Sequence, residues 1–195
     1  MNKLFFLKIA VLFVFVFFVH QTKADTLDVI FQSAAHDSDK AFSVASLLKY
    51  YNSEGDYYKT IQAGGKVISN YPGLLADKKT ASSVFASIGV AHYFKGNYAS
   101  ALENYFKTLK IREELNVSSA QAVMLNNIGV AYQDMRNYIL AKEYLFKGLE
   151  KRRLTGSKIG IAKSYNNIGL LYYTEGSDLS DSLTKEQYFD SAMYF

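Results

Sequence analysis

The sequence predicts an all-α chain assembled as a solenoid of stacked helical hairpins, and three observations carry that expectation. Residues 85–112 and 125–152 are one segment written twice, forty residues apart, with twelve identities in twenty-eight positions. About two would be expected by chance at ordinary residue usage. A third copy begins at Tyr165. Inside each copy the apolar residues recur at helical spacing, and turn and capping residues fall between the apolar stripes. A fixed period in this range marks a repeat array, in which each unit covers the apolar face of the next.

The amino terminus reads separately. Lys3 and Lys8 flank an apolar run from Ile9 to Val19, followed by His20-Gln21-Thr22-Lys23-Ala24 and Asp25. The run is too short to cross a bilayer, and Ala24 ends a plausible cleavage site, so residues 1–24 are expected to be a signal peptide. The competing reading is an uncleaved anchor over Leu4 to Val19. Export to the periplasm or the medium follows from the first reading. Three of the 22 basic residues and none of the 18 acidic ones lie in this segment, leaving 19 against 18 in the remainder. The basic balance therefore belongs to the leader, and no basic stripe points to nucleic acid. Cysteine is absent, which excludes disulfides and thiol chemistry.

Residues 25–40 form a lead segment, and 41–76 hold a degenerate first unit with Leu47, Tyr51, Gly55, Tyr57 and Pro72. The second unit, 77–116, repeats the pattern with Phe85, Ile88, Gly89, Gly96, Tyr98, Ala101 and Tyr105. In the third, 117–156, Leu125, Ile128, Gly129 and Tyr132 share a stripe, and Ala141, Leu145 and Leu149 form another. Arg136-Asn137 makes the turn between them, with Asn137 placed to cap the second helix. Lys151, Arg152 and Arg153 gather where cations favour a helix carboxyl end, and Gly156 supplies the stop. Gly129 and Ala141 are small enough to let the paired helices touch there. The last unit, 157–195, has Tyr165, Ile168, Gly169, Tyr172 and Gly176, then a polar stretch, Ser177 to Gln187, read as an inserted turn. Its second-helix pattern resumes at Phe189 and Ala192, and ends at Phe195 with Tyr188, Phe189, Met193 and Tyr194 uncovered. That ending suggests a fragment of a longer protein, or an end covered by a partner.

The run Leu125, Ile128, Gly129, Tyr132, Tyr138, Ala141, Leu145 resembles the tetratricopeptide repeat pattern. The resemblance implies a right-handed superhelical α-solenoid. The period of forty resembles the longer variety found in kinesin light chains and bacterial signalling proteins, the extra length being expected in the second helix and its link. His92 departs from the pattern, standing where Tyr132 and Tyr172 stand, and Thr60 and Gly64 replace the alanine and aromatic of the first unit.

Site chemistry for an enzyme is missing. His36 and His92 are the histidines beyond the leader, and His92 sits at a packing position. No metal set can be assembled, Gly64-Gly65 lacks the lysine of a phosphate loop, and no cofactor motif occurs. Asp178 and Asp181 lack the further acids of a calcium loop and read as a solvated turn. Asn116-Val117-Ser118 fits a glycosylation sequon.

What remains is surface. The 100° step turns Val123, Asn127, Val130 and Asp134 away from the packed stripe of the first helix. Shifting by forty adds Ser83, Ser87, Val90 and Phe94 on one side and Lys163, Asn167, Leu170 and Thr174 on the other. First helices line the concave side of a stacked array, so these residues are expected to form a groove. Asn127 and Asn167 are its leading candidates, because an amide offers both a donor and an acceptor to a peptide group. The resemblance implies the same role for them. The carboxylate-clamp subclass would need a lysine at Ala86 and an asparagine at Val90, and has neither. The expected function is a non-catalytic scaffold binding a protein or extended peptide, without nucleic acid, metal or cofactor. The alternative is the exported sensor region of a transmembrane histidine kinase or transcriptional regulator, whose membrane contact would come through a further carboxyl-terminal part.

Overall fold

A computed structural model describes residues 26–34 and 36–194. The expected signal peptide over 1–24 lies outside the described residues. The described residues are helical throughout, apart from short links and one 3-10 turn: α1 (Thr26–Ser33), α2 (Asp37–Ser53), α3 (Tyr57–Asn70), the turn Pro72–Ala76, α4 (Lys78–Phe94), α5 (Tyr98–Glu114), α6 (Ser118–Asp134), α7 (Tyr138–Leu154), α8 (Lys158–Asp178) and α9 (Ser182–Tyr194). The chain divides into two compact units between Val44 and Ala45. The first contains α1 and the start of α2, with Leu27, Ile30 and Val44 buried. All that follows concerns the second.

Its helices from α3 to α9 each pack on the next, an all-helical array of hairpins of the tetratricopeptide-like solenoid type. Helices α4 to α7 are each 17 residues long. Three-residue links join them, at 95–97, 115–117 and 135–137. The extra length of the repeat is therefore not concentrated in the second helix and its link: all four helices are alike. Each link has one residue in the left-handed region, Gly96, Asn116, Arg136 or, after α7, Gly156. These positions recur every twenty residues, so the backbone repeats at half the period of the side chains.

The hydrogen bonding explains why. At the first link Gly96 N–H donates to the Tyr93 carbonyl and Asn97 N–H to the His92 carbonyl, and the same pair of bonds recurs at Asn116, Arg136 and Gly156. This is the Schellman closure, which satisfies the last helical carbonyls only if the residue after the cap turns left-handed. Asn137 then caps α7 as expected, its side chain accepting from Leu140 N–H.

The core lies between the second helix of one hairpin and the first of the next. Ala101, Tyr105 and Leu109 of α5 pack with Leu125, Ile128 and Ala131 of α6. Forty residues on, Ala141, Leu145 and Leu149 of α7 pack with Ile168 and Leu171 of α8. Within the α6–α7 hairpin, a β-carbon at Gly129 would lie 2.7 Å from Leu145 Cγ and 3.0 Å from the Leu145 backbone nitrogen. The close approach is real, but its partner is Leu145 rather than Ala141.

The inserted turn expected at 177–187 is not there. Helix α8 runs 21 residues to Asp178, only Leu179–Asp181 separate it from α9, and α9 starts at Ser182 rather than near Phe189. The polar residues that suggested a loop serve helix ends: Asp181 accepts from Thr184 N–H and Oγ1, capping α9. Asp178 takes the Tyr138 hydroxyl and an Arg136 ion pair at 2.6 Å, fastening α8 to the preceding link. Gly176 lets α9 return closely, since a β-carbon there would meet Tyr188 Cβ at 2.8 Å.

Candidate functional site

Helices α6 and α8 enclose a cleft of about 640 Å³. Four residues expected in a groove line it: Val123 and Asn127 from α6, Lys163 and Asn167 from α8. Ser87, Val90, Phe94, Val130, Asp134, Leu170 and Thr174 are not among its walls. Val90 and Val130 are half-buried against the two core clusters. Asp134 accepts the Tyr93 hydroxyl at 2.6 Å, and Thr174 accepts from Gln133 Nε2, so both tie one hairpin to the next. Phe94 is 59% exposed yet stacks on Tyr57, with ring centroids 5.0 Å apart. Leu170 is exposed, and the Ser87 carbonyl accepts from Asn52 Nδ2.

The two leading asparagines differ. Asn167 Nδ2 donates to Asn126 Oδ1 at 2.8 Å, joining α8 to α6 and leaving its own carbonyl oxygen open. Asn127 makes no side-chain hydrogen bond to a described residue, and is only half-buried. Its donor and acceptor are both available to a ligand.

Five wall residues were not anticipated: Asn126, Arg152, Ile159, Ala162 and Asn166. The amide pair Asn126-Asn127 recurs as Asn166-Asn167, so four amides line one space. Arg152 matters most. It was expected as one of three cations favoured at the carboxyl end of α7, and it is only 7% exposed. Its Nη1 donates to the Gly160 carbonyl at 2.7 Å and to Ser164 Oγ at 2.8 Å, both on α8. Burial depresses its pKa, because a guanidinium loses hydration and gains no anion here. The signal that could have found it was in the repeat itself, since Arg112 and Arg152 are one of the twelve identities. Arg112 is likewise held by oxygens: Nε donates to Ser82 Oγ at 3.0 Å and Nη1 to the Ala120 carbonyl at 2.8 Å.

His92 is half-buried at its packing position, and its Nδ1 is sealed from water without a partner. Burial lowers its pKa, against the opposing pull of Glu103. Among the described residues no cluster of three metal-ligating side chains occurs, and no helix is long and apolar enough to cross a membrane.

Comparison with known proteins agrees with the architecture. Residues 121–155, which supply α6, α7 and Arg152, match the tetratricopeptide repeat family model. No curated protein matches the chain. Among solved structures the chain is similar to BtubC (BKLC) from P. vanneervenii, at 22% identity and a TM-score of 0.58, over 85% of this chain and 67% of that one. At that identity the likeness is one of fold. Residues 121–155 thus resemble a tetratricopeptide repeat, and the hairpins stacked around them share its architecture.

Proposed function

We propose that the chain is a non-catalytic scaffold that binds a protein partner through an extended peptide laid along the α6–α8 cleft. Tetratricopeptide repeats generally mediate protein–protein interaction. The observation that carries the finer reading is the cleft of about 640 Å³ walled by Asn126, Asn127, Asn166 and Asn167. Side-chain amides recognise a peptide backbone by pairing with its N–H and C=O groups whatever its sequence. Val123, Ile159 and Ala162 supply the apolar surface that such a segment would cover. The apolar run Ile9 to Val19 behind Lys3 and Lys8 supports export, so the partner would be met outside the cytoplasm.

The test is an array of immobilised decapeptides, amidated at the carboxyl end, probed with the full chain. The wild-type chain should retain a subset of sequences, and Asn127→Ala with Asn167→Ala should weaken the whole subset together. Retention unchanged by both substitutions would move the site away from this cleft.

A further inference from the structure

Arg112 and Arg152 occupy equivalent places, and one difference separates them. Each donates from Nη1 to the carbonyl of the residue eight positions on, Ala120 or Gly160. Arg112 then uses Nε on Ser82 of α4, so it spans the two flanking helices. The residue forty positions after Ser82 is Ala122, which has no hydroxyl, and the second partner of Arg152 is Ser164, on α8 again. Among the described residues Arg152 therefore makes no hydrogen bond to α6. Its Nε and Nη2 make no hydrogen bond to a described residue, and neither is among the polar atoms sealed from water. Arg152 itself, 7% exposed, lines the cleft.

The Nε–Nη2 edge of a guanidinium presents two parallel N–H groups that match the two oxygens of a carboxylate. At Arg112 that edge is broken by Ser82; at Arg152 it is whole. No acidic side chain lines the cleft, and Lys163 adds a second cation to its wall. A buried cation with no anion, opening on a cleft that holds another cation and no acid, lacks its counter-charge.

We propose that the Nε–Nη2 edge of Arg152 receives the side-chain carboxylate of an aspartate or glutamate carried by the bound peptide. This rests on the peptide-groove reading. Asn127 and Asn167 hold the neighbouring backbone, which places an internal side chain, rather than a chain end, over Arg152. The interaction is specific to this position of the array, because Arg112 has its edge occupied.

The test uses matched peptides drawn from those the array retains, each made with glutamate or glutamine at one position and amidated at the carboxyl end. The full wild-type chain should bind the glutamate form about tenfold more tightly, as hydrogen bonds to a charged group warrant. Arg152→Gln should abolish that preference, so that the glutamate and glutamine forms bind alike. Ala122→Ser is the second variant, for it keeps the charge and the burial but offers Arg152 the hydroxyl that Ser82 offers Arg112; it should narrow the preference while circular dichroism stays unchanged. No glutamate preference in the wild-type chain, or one that survives in both variants, overturns the carboxylate site and leaves the groove standing. Glutamine peptides that gain the same tenfold when made with a free carboxyl end would overturn the side-chain assignment. No peptide retained at all overturns the groove and the proposal with it.

Discussion

Arg112 and Arg152 begin from the same residue at the same place in a repeat and end in different circumstances. Both leave the last turn of a second helix and reach the carbonyl of the following first helix, at 2.8 and 2.7 Å. Ser82 then completes a bridge for Arg112, whereas Ala122 and Ser164 together turn Arg152 onto α8 and leave its outer edge to the cleft. A repeat duplicates scaffold and opportunity alike, and one hydroxyl moved between helices decides which is used. Arg112 fastens two flanking helices together; Arg152 fastens α8 alone.

The largest effect should come from α6, which lies between the helices that carry the two arginines. Gly129→Leu would drive a side chain into Leu145, including its backbone nitrogen at 3.0 Å, which cannot be cleared by a rotamer change. It should cost more than about 3 kcal/mol, above the usual range for overpacking, and disturb the surroundings of both arginines. Thermal unfolding at the wild-type temperature would show that the helices are not as close as described.

Next in size are the arginines themselves. Arg112→Met removes both hydrogen bonds of a bridge between α4 and α6 and strands Ser82 and the Ala120 carbonyl, an expected loss of about 2 kcal/mol. Arg152→Met should cost less, about 1 kcal/mol, because both of its hydrogen bonds go to α8 alone and it bridges no pair of flanking helices. Chemical denaturation that ranked the two in the opposite order would reverse their assigned roles.

A smaller effect compares the links. Gly96 and Gly156 adopt the left-handed turn without strain, but Arg136 holds φ of 58° with a full side chain. Arg136→Gly should raise stability by about 1 kcal/mol, since the backbone relief exceeds the loss of an exposed ion pair with Asp178. A lower melting temperature would mean that the pair matters more than the backbone.

The smallest is pH dependence at His92, where the second unit departs from Tyr132 and Tyr172. Its pKa in the folded chain lies below the ordinary 6.5, with burial the main cause. The unfolded chain therefore binds the proton first as pH falls, so the contribution is present above about 6.5 and lost below it. His92→Tyr should flatten that part of the stability profile, and a slope unchanged by the substitution would place its origin elsewhere.

Much of this organisation was legible in the residues. The forty-residue echo gave the hairpins, Asn137 gave a cap, and four of the groove residues line one cleft. Three things were hidden, each for a physical reason. The twenty-residue rhythm of the links is a backbone property, and Gly96, Asn116, Arg136 and Gly156 share conformation without sharing chemistry. The stretch from Ser177 to Gln187 is polar because it is largely exposed helix, and only Leu179–Asp181 break it. Arg152 read only as one of three cations at a helix end, because local sequence cannot reveal that it reaches Gly160 and Ser164 of the next hairpin.

The most direct measurement follows the arginine Nε–H resonances of the isotopically labelled full chain while a retained glutamate peptide, or its glutamine twin, is added. The expected result is that the Arg152 Nε–H signal moves with the glutamate peptide and not with the glutamine one, while the Arg112 signal stays fixed on Ser82. If the Arg152 signal stayed still with both peptides, or the two arginines moved together, they would not differ in the way the structure indicates.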